Sequence, residues 1–243
     1  MMFNKFFKFS QNKLNYLYEN SLFLQNIDWF ILPFILLTFI GSTFMNSDSI
    51  GFFALIVMFL TFVKMLTKPN EVVDFKRFEI WLIAYFMIVV ISLFGSTLFV
   101  LSLKGFLKTL IYIGFYFSVV QYLKAHKNHI SWLLGTIALC VAGESVVAFL
   151  QSFLHLEAIS TWQDTSRLNP EDVLSRVYGT LKPFNPNLFG GYLVAGFPAL
   201  LGSVFYFANR KHLKCTLIAL AFSVLGIYAI FQTGCRGAYL ALR

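Results

Sequence analysis

The sequence is poor in charged residues. Only 12% of its 243 residues are Asp, Glu, Lys or Arg, about half the share that a soluble domain carries, whereas 58% are hydrophobic. This balance excludes a soluble globular domain, and thirty Phe residues agree with a chain whose side chains pack against lipid. The net charge of +8 is not evidence for nucleic-acid binding, because the cations lie between apolar runs, as they do in membrane proteins. We expect no nucleic-acid partner.

Local motifs for several kinds of catalysis are also lacking. The chain contains no HExxH, no phosphate-binding GxxxxGK[ST] loop and no GxSxG. Metal-dependent hydrolysis, nucleotide hydrolysis and serine-ester chemistry therefore have no local support. The three cysteines, Cys140, Cys215 and Cys235, share no spacing typical of a metal site. We expect neither a bound metal nor a cofactor.

Long apolar runs dominate the sequence instead. A helix needs about 20 residues, within a range of about 17–25, to cross the hydrocarbon core of a bilayer. Seven runs meet this requirement, at residues 29–45, 50–66, 79–101, 105–123, 131–154, 188–207 and 213–232. The sequence therefore predicts an all-α, polytopic helical membrane protein. It has about seven complete transmembrane helices, and residues 238–242 read as the start of an eighth.

Lysine and arginine are distributed unequally between the two sides of this predicted bundle. One side holds twelve of them, in residues 5–13, 64–77, 124–127 and 210–214, and the other side holds seven. The positive-inside rule assigns the more basic side to the cytoplasm. We expect a bacterial inner (plasma) membrane protein with a cytoplasmic N-terminal segment at residues 1–27 and no cleavable signal peptide.

The one long connection between runs covers residues 155–187 and is predicted to emerge outside. Near its end, Arg176 and Lys182 precede the segment Asn185-Pro186-Asn187. The first asparagine suits the N-cap of a helix, and the proline suits the first helical position because it has no N–H to leave unpaired. A helix N-terminus beside two cations favours an anion, and phosphate above all.

Polar residues also interrupt two apolar runs. Thr233-Gly234-Cys235-Arg236-Gly237 ends the seventh run, and its glycines permit a turn that brings backbone close to a ligand. Arg236 either binds an anion there or reaches to lipid headgroups. Glu144 lies inside the fifth run, where a carboxylate costs about 2.5–3.5 kcal/mol, so it marks either a functional interior or a protonated carboxyl bonded to a neighbouring helix. Gln151 and His155 follow on the same helix face.

Three segments together resemble one family. Arg176-Val-Tyr-Gly-Thr, then Asn185-Pro-Asn-Leu-Phe-Gly-Gly-Tyr-Leu, then Thr233-Gly-Cys-Arg-Gly-Ala-Tyr-Leu resemble the O-antigen ligase and O-antigen polymerase superfamily. Residues 150–151 and 160–164 are similar to a subfamily labelled inorganic-carbon transporter-like. The match covers about residues 140–242. The resemblance implies a transmembrane O-antigen ligase-like domain at residues 28–243 that is C-terminally incomplete, because family members continue further.

The resemblance implies a membrane glycosyltransferase of lipopolysaccharide or polysaccharide biosynthesis. Such an enzyme transfers glycan from a polyprenyl-pyrophosphate (undecaprenyl pyrophosphate) carrier to a lipid-core, glycan or protein acceptor at the outer face of the inner membrane. Arg176 and Arg236 would hold the pyrophosphate, and Glu144 would assist the acceptor hydroxyl. Residues predicted to bind substrate are Lys182, Asn185, Asn187, Gln151 and Thr233. The expected partners are therefore membrane lipid, the lipid-linked donor and the acceptor.

Two other functions stay open. A transporter of a small anion such as bicarbonate would use Glu144 within its span, but transporters usually have paired repeats with broken helices, and no half matching the sixth run with Pro198 is evident. A non-catalytic truncated fragment is the third possibility, because the predicted eighth helix is incomplete. The family's Thr-x-Ser-Arg is Thr233-Gly-Cys235-Arg236 here, and cysteine is a poorer hydrogen-bond partner than serine.

Overall fold

The structure is a computed structural model that describes residues 16, 18–67, 77–156, 158–159 and 175–241. Within these ranges the protein is all-α, as the sequence predicts. The helices are α1 (Leu22–Gln25), α2 (Asp28–Gly41), α3 (Ser47–Thr67), α4 (Arg77–Phe94), α5 (Phe99–Ala125), α6 (Ile130–Phe153), α7 (Pro186–Asn209), α8 (Leu213–Gln232) and α9 (Arg236–Ala241). A 3₁₀ turn, Lys127–His129, lies between α5 and α6 in the chain. Two-residue strands, β1 (Ala158–Ile159) and β2 (Ser175–Arg176), pair antiparallel.

Five described helices are long and apolar enough to cross a membrane. These segments are Ser47–Thr67, Phe99–Ala125, Lys127–Phe153, Pro186–Asn209 and Leu213–Gln232. Their mean hydropathies range from 1.4 to 2.2. Two further apolar helices, Asp28–Gly41 and Glu79–Phe94, are shorter than this. Several membrane-length helices are thus present, whereas the predicted count of seven complete spans is not confirmed.

The boundary between the third and fourth predicted runs differs from the sequence expectation. The run at 79–101 ends as a helix at Phe94, and α5 begins at Phe99 rather than at residue 105. Ser96 accounts for this break, because its hydroxyl accepts a hydrogen bond from Leu98 N at 3.2 Å and satisfies a donor near the new helix start. The apolar composition continues through the break, so composition alone did not reveal it.

Two other sequence predictions fall largely outside the described residues. Of the N-terminal segment predicted to be cytoplasmic, residues 1–15 and 17 are outside, and the structure describes α1 near its end. Of the long connection, residues 157 and 160–174 are outside. Its described part consists of β1, β2 and the segment that leads into α7.

The chain divides into two compact units, of which the first comprises Met1–Thr38 and Asp48–Ile130. Partly buried ion pairs link its helices. The Lys64 ammonium donates to both carboxylate oxygens of Asp28 at 2.7 and 2.9 Å, and Lys124 Nζ lies 3.1 Å from Glu79 Oε1. Each cation therefore has an acidic partner on another helix, as charges within an apolar bundle require.

The second unit comprises Phe39–Ser47 and Ser131–Arg243. Its core is formed by buried side chains of α6, α7 and α8 together with Val177 and Ala238. Gly196 marks the close approach of α7 to α6, since a Cβ built there would lie 2.4 Å from Val141 Cγ2. Small residues at such crossings allow helix backbones to approach closely, which is the usual way helices associate in membranes. All predicted site residues belong to this second unit.

Candidate functional site

The N-terminus of α7 forms as the sequence predicts. Asn185 is the N-cap, and its Oδ1 accepts hydrogen bonds from the backbone N–H groups of Asn187 at 2.8 Å and Leu188 at 3.4 Å. Pro186 occupies the first helical position. The prediction of this helix start is confirmed, and the Asn185 side chain is occupied in capping.

Arg176 joins three segments that are distant in sequence. Its Nε donates to the backbone oxygen of Thr233 at 2.6 Å, and its Nη2 donates to Asn187 Oδ1 at 2.6 Å. The guanidinium therefore ties β2 to the start of α7 and to the turn after α8. A guanidinium has five N–H donors, and these two bonds leave three for other acceptors.

Two glycines let backbone and side chains approach closely around this arginine. Gly234 has a φ of +60°, and a Cβ built there would lie 3.0 Å from Arg176 Nε. Gly190 faces the same turn, since its Cβ would lie 2.9 Å from Cys235 Cβ and 3.0 Å from Thr233 Oγ1. The predicted turn thus exists, and the group its backbone approaches is the arginine side chain.

The remaining basic and hydroxyl residues of the prediction lie in different environments. Thr233 is fully buried, and its hydroxyl donates to Ile230 O at 2.7 Å and accepts from Cys235 N at 3.2 Å. Arg236, the first residue of α9, and Lys182 are exposed. Neither cation has a hydrogen bond or ion pair with another residue of the described part.

Glu144 is buried in α6 and bonded to Thr180. Its Oε2 accepts from Thr180 N at 3.0 Å, and its Oε1 is hydrogen-bonded to Thr180 Oγ1. The Thr180 hydroxyl also lies 2.6 Å from the backbone oxygen of Thr43, which can only accept. The hydroxyl has one hydrogen, so it can bond to both acceptors only when the carboxyl group carries a proton and donates in turn. The partner of Glu144 is therefore the segment that leads into α7, and not a neighbouring helix as one sequence alternative had it.

Gln151 fixes the same loop segment two turns further along α6. Its Oε1 accepts from the N–H groups of Tyr178 at 3.2 Å and Gly179 at 3.0 Å, and its Nε2 donates to Gly179 O at 3.1 Å. Gly179 has a φ of +63°, and a Cβ there would lie 2.4 Å from a ring carbon of Phe189. Glu144 and Gln151 thus act as a pair of anchors for residues 178–180. His155, predicted on the same face, is exposed in the turn after α6.

Several polar groups of this region escaped the sequence analysis. Thr180 closes the Arg-Val-Tyr-Gly-Thr motif and was not weighed as a partner for Glu144. Thr43 contributes only a backbone oxygen, for which no side-chain signal exists. Tyr192 lies beside Ser42 and Cys140. In the described ranges, no three His, Cys, Asp or Glu side chains are arranged to bind a metal ion.

Membrane-length apolar helices with polar groups bonded among them define a multi-pass helical membrane protein. A comparison with protein-family models finds no match for the chain. Comparisons with curated proteins and with solved structures also find none. The particular activity therefore has to be argued from the residues themselves.

Proposed function

We propose that the protein is a membrane glycosyltransferase of the O-antigen ligase and polymerase type. It transfers a glycan from a polyprenyl-pyrophosphate carrier to a lipid-core, glycan or protein acceptor. The observation that carries this proposal is the meeting of Arg176 with the N-terminus of α7 and the Thr233 turn. The three segments that resemble the superfamily are the ones joined by this arginine.

The proposed mechanism is electrostatic. As the bond between the sugar and the carrier breaks, negative charge grows on the departing pyrophosphate. Arg176 offers its three remaining N–H donors, and the positive end of the α7 dipole lies beside it. Two further cations are exposed nearby in the sequence: Lys182 precedes the start of α7, and Arg236 follows the Thr233 turn. Donors arranged in advance stabilise a charged leaving group without reorganising, and they need no metal to do so.

Other predicted residues receive positioning roles in this proposal. Asn187 holds the Arg176 guanidinium, and Thr233 supplies the backbone oxygen that fixes its Nε. Gln151 anchors the loop that carries the arginine. Glu144 anchors Thr180, and to accept a proton from the acceptor hydroxyl it would first have to give up this bond. We therefore assign Glu144 to positioning, and the proton of the acceptor hydroxyl passes to the departing pyrophosphate as the new glycosidic bond forms.

We also propose the finer membrane arrangement. The short apolar helices Asp28–Gly41 and Glu79–Phe94 cross the membrane with the five longer ones, which gives seven spans. The excess of Lys and Arg on one side assigns the N-terminus to the cytoplasm and the start of α7 to the outer face of the inner membrane. A lipid-linked pyrophosphate lies at that surface, where the charged group remains in the headgroup region.

The carrier itself provides a test that does not require the sugar to be known. Purified full-length protein in lipid nanodiscs should bind undecaprenyl pyrophosphate more tightly than undecaprenyl monophosphate. Arg176→Ala and Arg236→Ala should each remove this preference and abolish glycan transfer in membranes, with membrane insertion retained. Arg210→Ala is the matched control, because Arg210 is exposed and lies over the Tyr206 ring at 4.4 Å, at the opposite end of α7.

Binding and transfer that survive both substitutions would refute the proposal. Anion uptake by liposomes containing the purified protein, together with an absence of carrier binding, would favour the transporter instead.

A further inference from the structure

The turn between α7 and α8 carries basic side chains that the proposed reaction does not use. Residues 210–214 read Arg-Lys-His-Leu-Lys, and all five are exposed. The helices on either side, Pro186–Asn209 and Leu213–Gln232, are long and apolar enough to cross a membrane, and three residues connect them. So short a connection between two spans lies at the level of the lipid headgroups. The basic side chains are therefore presented to that layer.

The cations of this turn have no acidic partner close by. The sequence contains no Asp or Glu from residue 173 to residue 243. Within the described part, Lys211 and Lys214 form no ion pair, and the Arg210 guanidinium lies over the Tyr206 ring at 4.4 Å. Lys64, by contrast, is paired with an acid on another helix. The described part thus leaves the positive charge of this turn uncompensated.

One of these cations occupies a strained backbone position. α7 ends with two hydrogen bonds from the residues that follow it, Lys211 N to Ala208 O and His212 N to Phe207 O, both 3.0 Å long. In this helix-ending motif the residue after the C-cap is left-handed and is usually glycine. Here it is Lys211, with a φ of +59°. A side chain is disfavoured at such an angle, so the sequence carries a lysine where a glycine would fold more stably.

Exposed apolar side chains flank the same cations. Leu213, which lies between His212 and Lys214 in the chain, is 70% exposed, and Phe205 near the end of α7 is 67% exposed. A soluble anion such as free phosphate would leave both apolar groups in water. A lipid supplies hydrocarbon for the apolar side chains and a phosphate for the cations. This combination therefore selects a lipid as the partner of the turn.

We propose that the α7–α8 turn binds the headgroup of an anionic phospholipid. The phosphate is held by Arg210, Lys211 and Lys214, and the acyl chains pass along Leu213 and Phe205. A zwitterionic headgroup brings its own cation, so it compensates the charge of the turn less well. The site is independent of the proposed glycan transfer, because it lies at the end of α7 opposite to the start that Arg176 contacts.

Photolabelling at the turn measures this lipid preference. Full-length protein in phosphatidylcholine nanodiscs receives a trace of phosphatidylglycerol or phosphatidylcholine, each with the same photoreactive acyl chain. Cross-linked peptides are then identified by mass spectrometry. One cation near the headgroups is worth about fivefold in binding, so phosphatidylglycerol should label residues 205–217 of the wild type more strongly by at least about that factor.

Substitutions at Lys211 separate the charge from the fold. Lys211→Gly removes the cation and relieves the strained position. Labelling by phosphatidylglycerol should therefore fall about fivefold, whereas the melting temperature in phosphatidylcholine should rise by about 2–4 °C. Lys211→Arg is the matched control, because it keeps both the charge and the strain and should retain the preference. Excess inorganic phosphate, added at constant ionic strength, should not displace the lipid.

Several results would overturn the inference. Equal labelling of the wild type by the two lipids would do so, as would a preference that persists in Lys211→Gly or is lost in Lys211→Arg. Displacement by inorganic phosphate would show that the turn binds a soluble anion instead. A lower melting temperature of Lys211→Gly would show that Lys211 serves the fold rather than the headgroup.

Discussion

Glu144 gives the sharpest prediction, because two substitutions distinguish a structural carboxyl group from a chemical one. The two contacts of the Thr180 hydroxyl predict a protonated Glu144, with one oxygen donating to the hydroxyl and the other accepting from Thr180 N. Glutamine reproduces this pattern, since its amide nitrogen donates where the acid donated and its carbonyl accepts. Alanine removes both bonds and leaves Thr180 N without a partner, whereas the hydroxyl keeps its bond to Thr43 O.

The magnitude follows from these two bonds. Leaving one buried polar group without a partner costs about 1–3 kcal/mol, so the loss at Thr180 N should lower the free energy of unfolding of Glu144→Ala by about that amount. Glu144→Gln should change it by less than about 1 kcal/mol, because both bonds survive. Thermal unfolding of the purified variants in one detergent, followed by circular dichroism, provides the comparison. Carrier binding measured on the same samples shows whether the anchor affects the site around Arg176.

Two outcomes would contradict this reasoning. If Glu144→Gln is as unstable as Glu144→Ala, the buried group is an ionised carboxylate and the predicted protonation is wrong. If Glu144→Gln is stable and binds the carrier but transfers no glycan, Glu144 handles a proton in the reaction, and the positioning role is wrong.

Three further predictions concern residues near the candidate site, each measured by thermal unfolding in detergent. Gly234→Ala should destabilise the protein by about 1–2 kcal/mol, because alanine is disfavoured at a φ of +60°. Gly237→Ala is its control and should be neutral, because a Cβ at Gly237 would have no atom within 4 Å. Equal effects of the two substitutions would contradict the packing described. Gly190→Ala should lower the free energy of unfolding by about 1–3 kcal/mol, because the added Cβ overpacks the turn. Gly191→Ala is its matched control, because the space around Gly191 is open. Asn185→Ala should cost about 0.5–2 kcal/mol through loss of the N-cap, and an unchanged melting temperature would argue against that cap.

Features set by neighbouring residues were predictable from the sequence. The start of α7 at Asn185 and Pro186 follows from local capping chemistry, and α8 covers the predicted run at 213–232. The all-α class follows from composition. The end of α4 at Phe94 was missed because a serine within an apolar run changes its hydropathy little, although its hydroxyl can satisfy a backbone donor.

The contacts that build the candidate site were not predictable in the same way. Arg176 and Asn187 were both predicted to bind substrate, and the structure bonds them to each other. The second partner of the arginine is a backbone oxygen 57 residues away, and every residue carries such an oxygen. The bond between Glu144 and Thr180 spans 36 residues, so no sequence spacing indicates it. The predicted substrate-binding and catalytic roles themselves stay predictions.

The end of α8 has a consequence for how the protein is assembled. In the following turn, Thr233 N and Gly234 N donate to the carbonyl groups of Ala229, Ile230 and Phe231, which leaves those of Gln232 and Thr233 for other donors. Val177 N donates to Gln232 O at 3.2 Å, and the Arg176 side chain donates to Thr233 O, so donors from the long connection supply what the helix lacks. A ribosome-bound chain delivers that connection before α8 emerges. Mutations that unfold the connection should therefore leave the carbonyl groups of Gln232 and Thr233 without these donors and expose the end of α8 to membrane quality-control proteases.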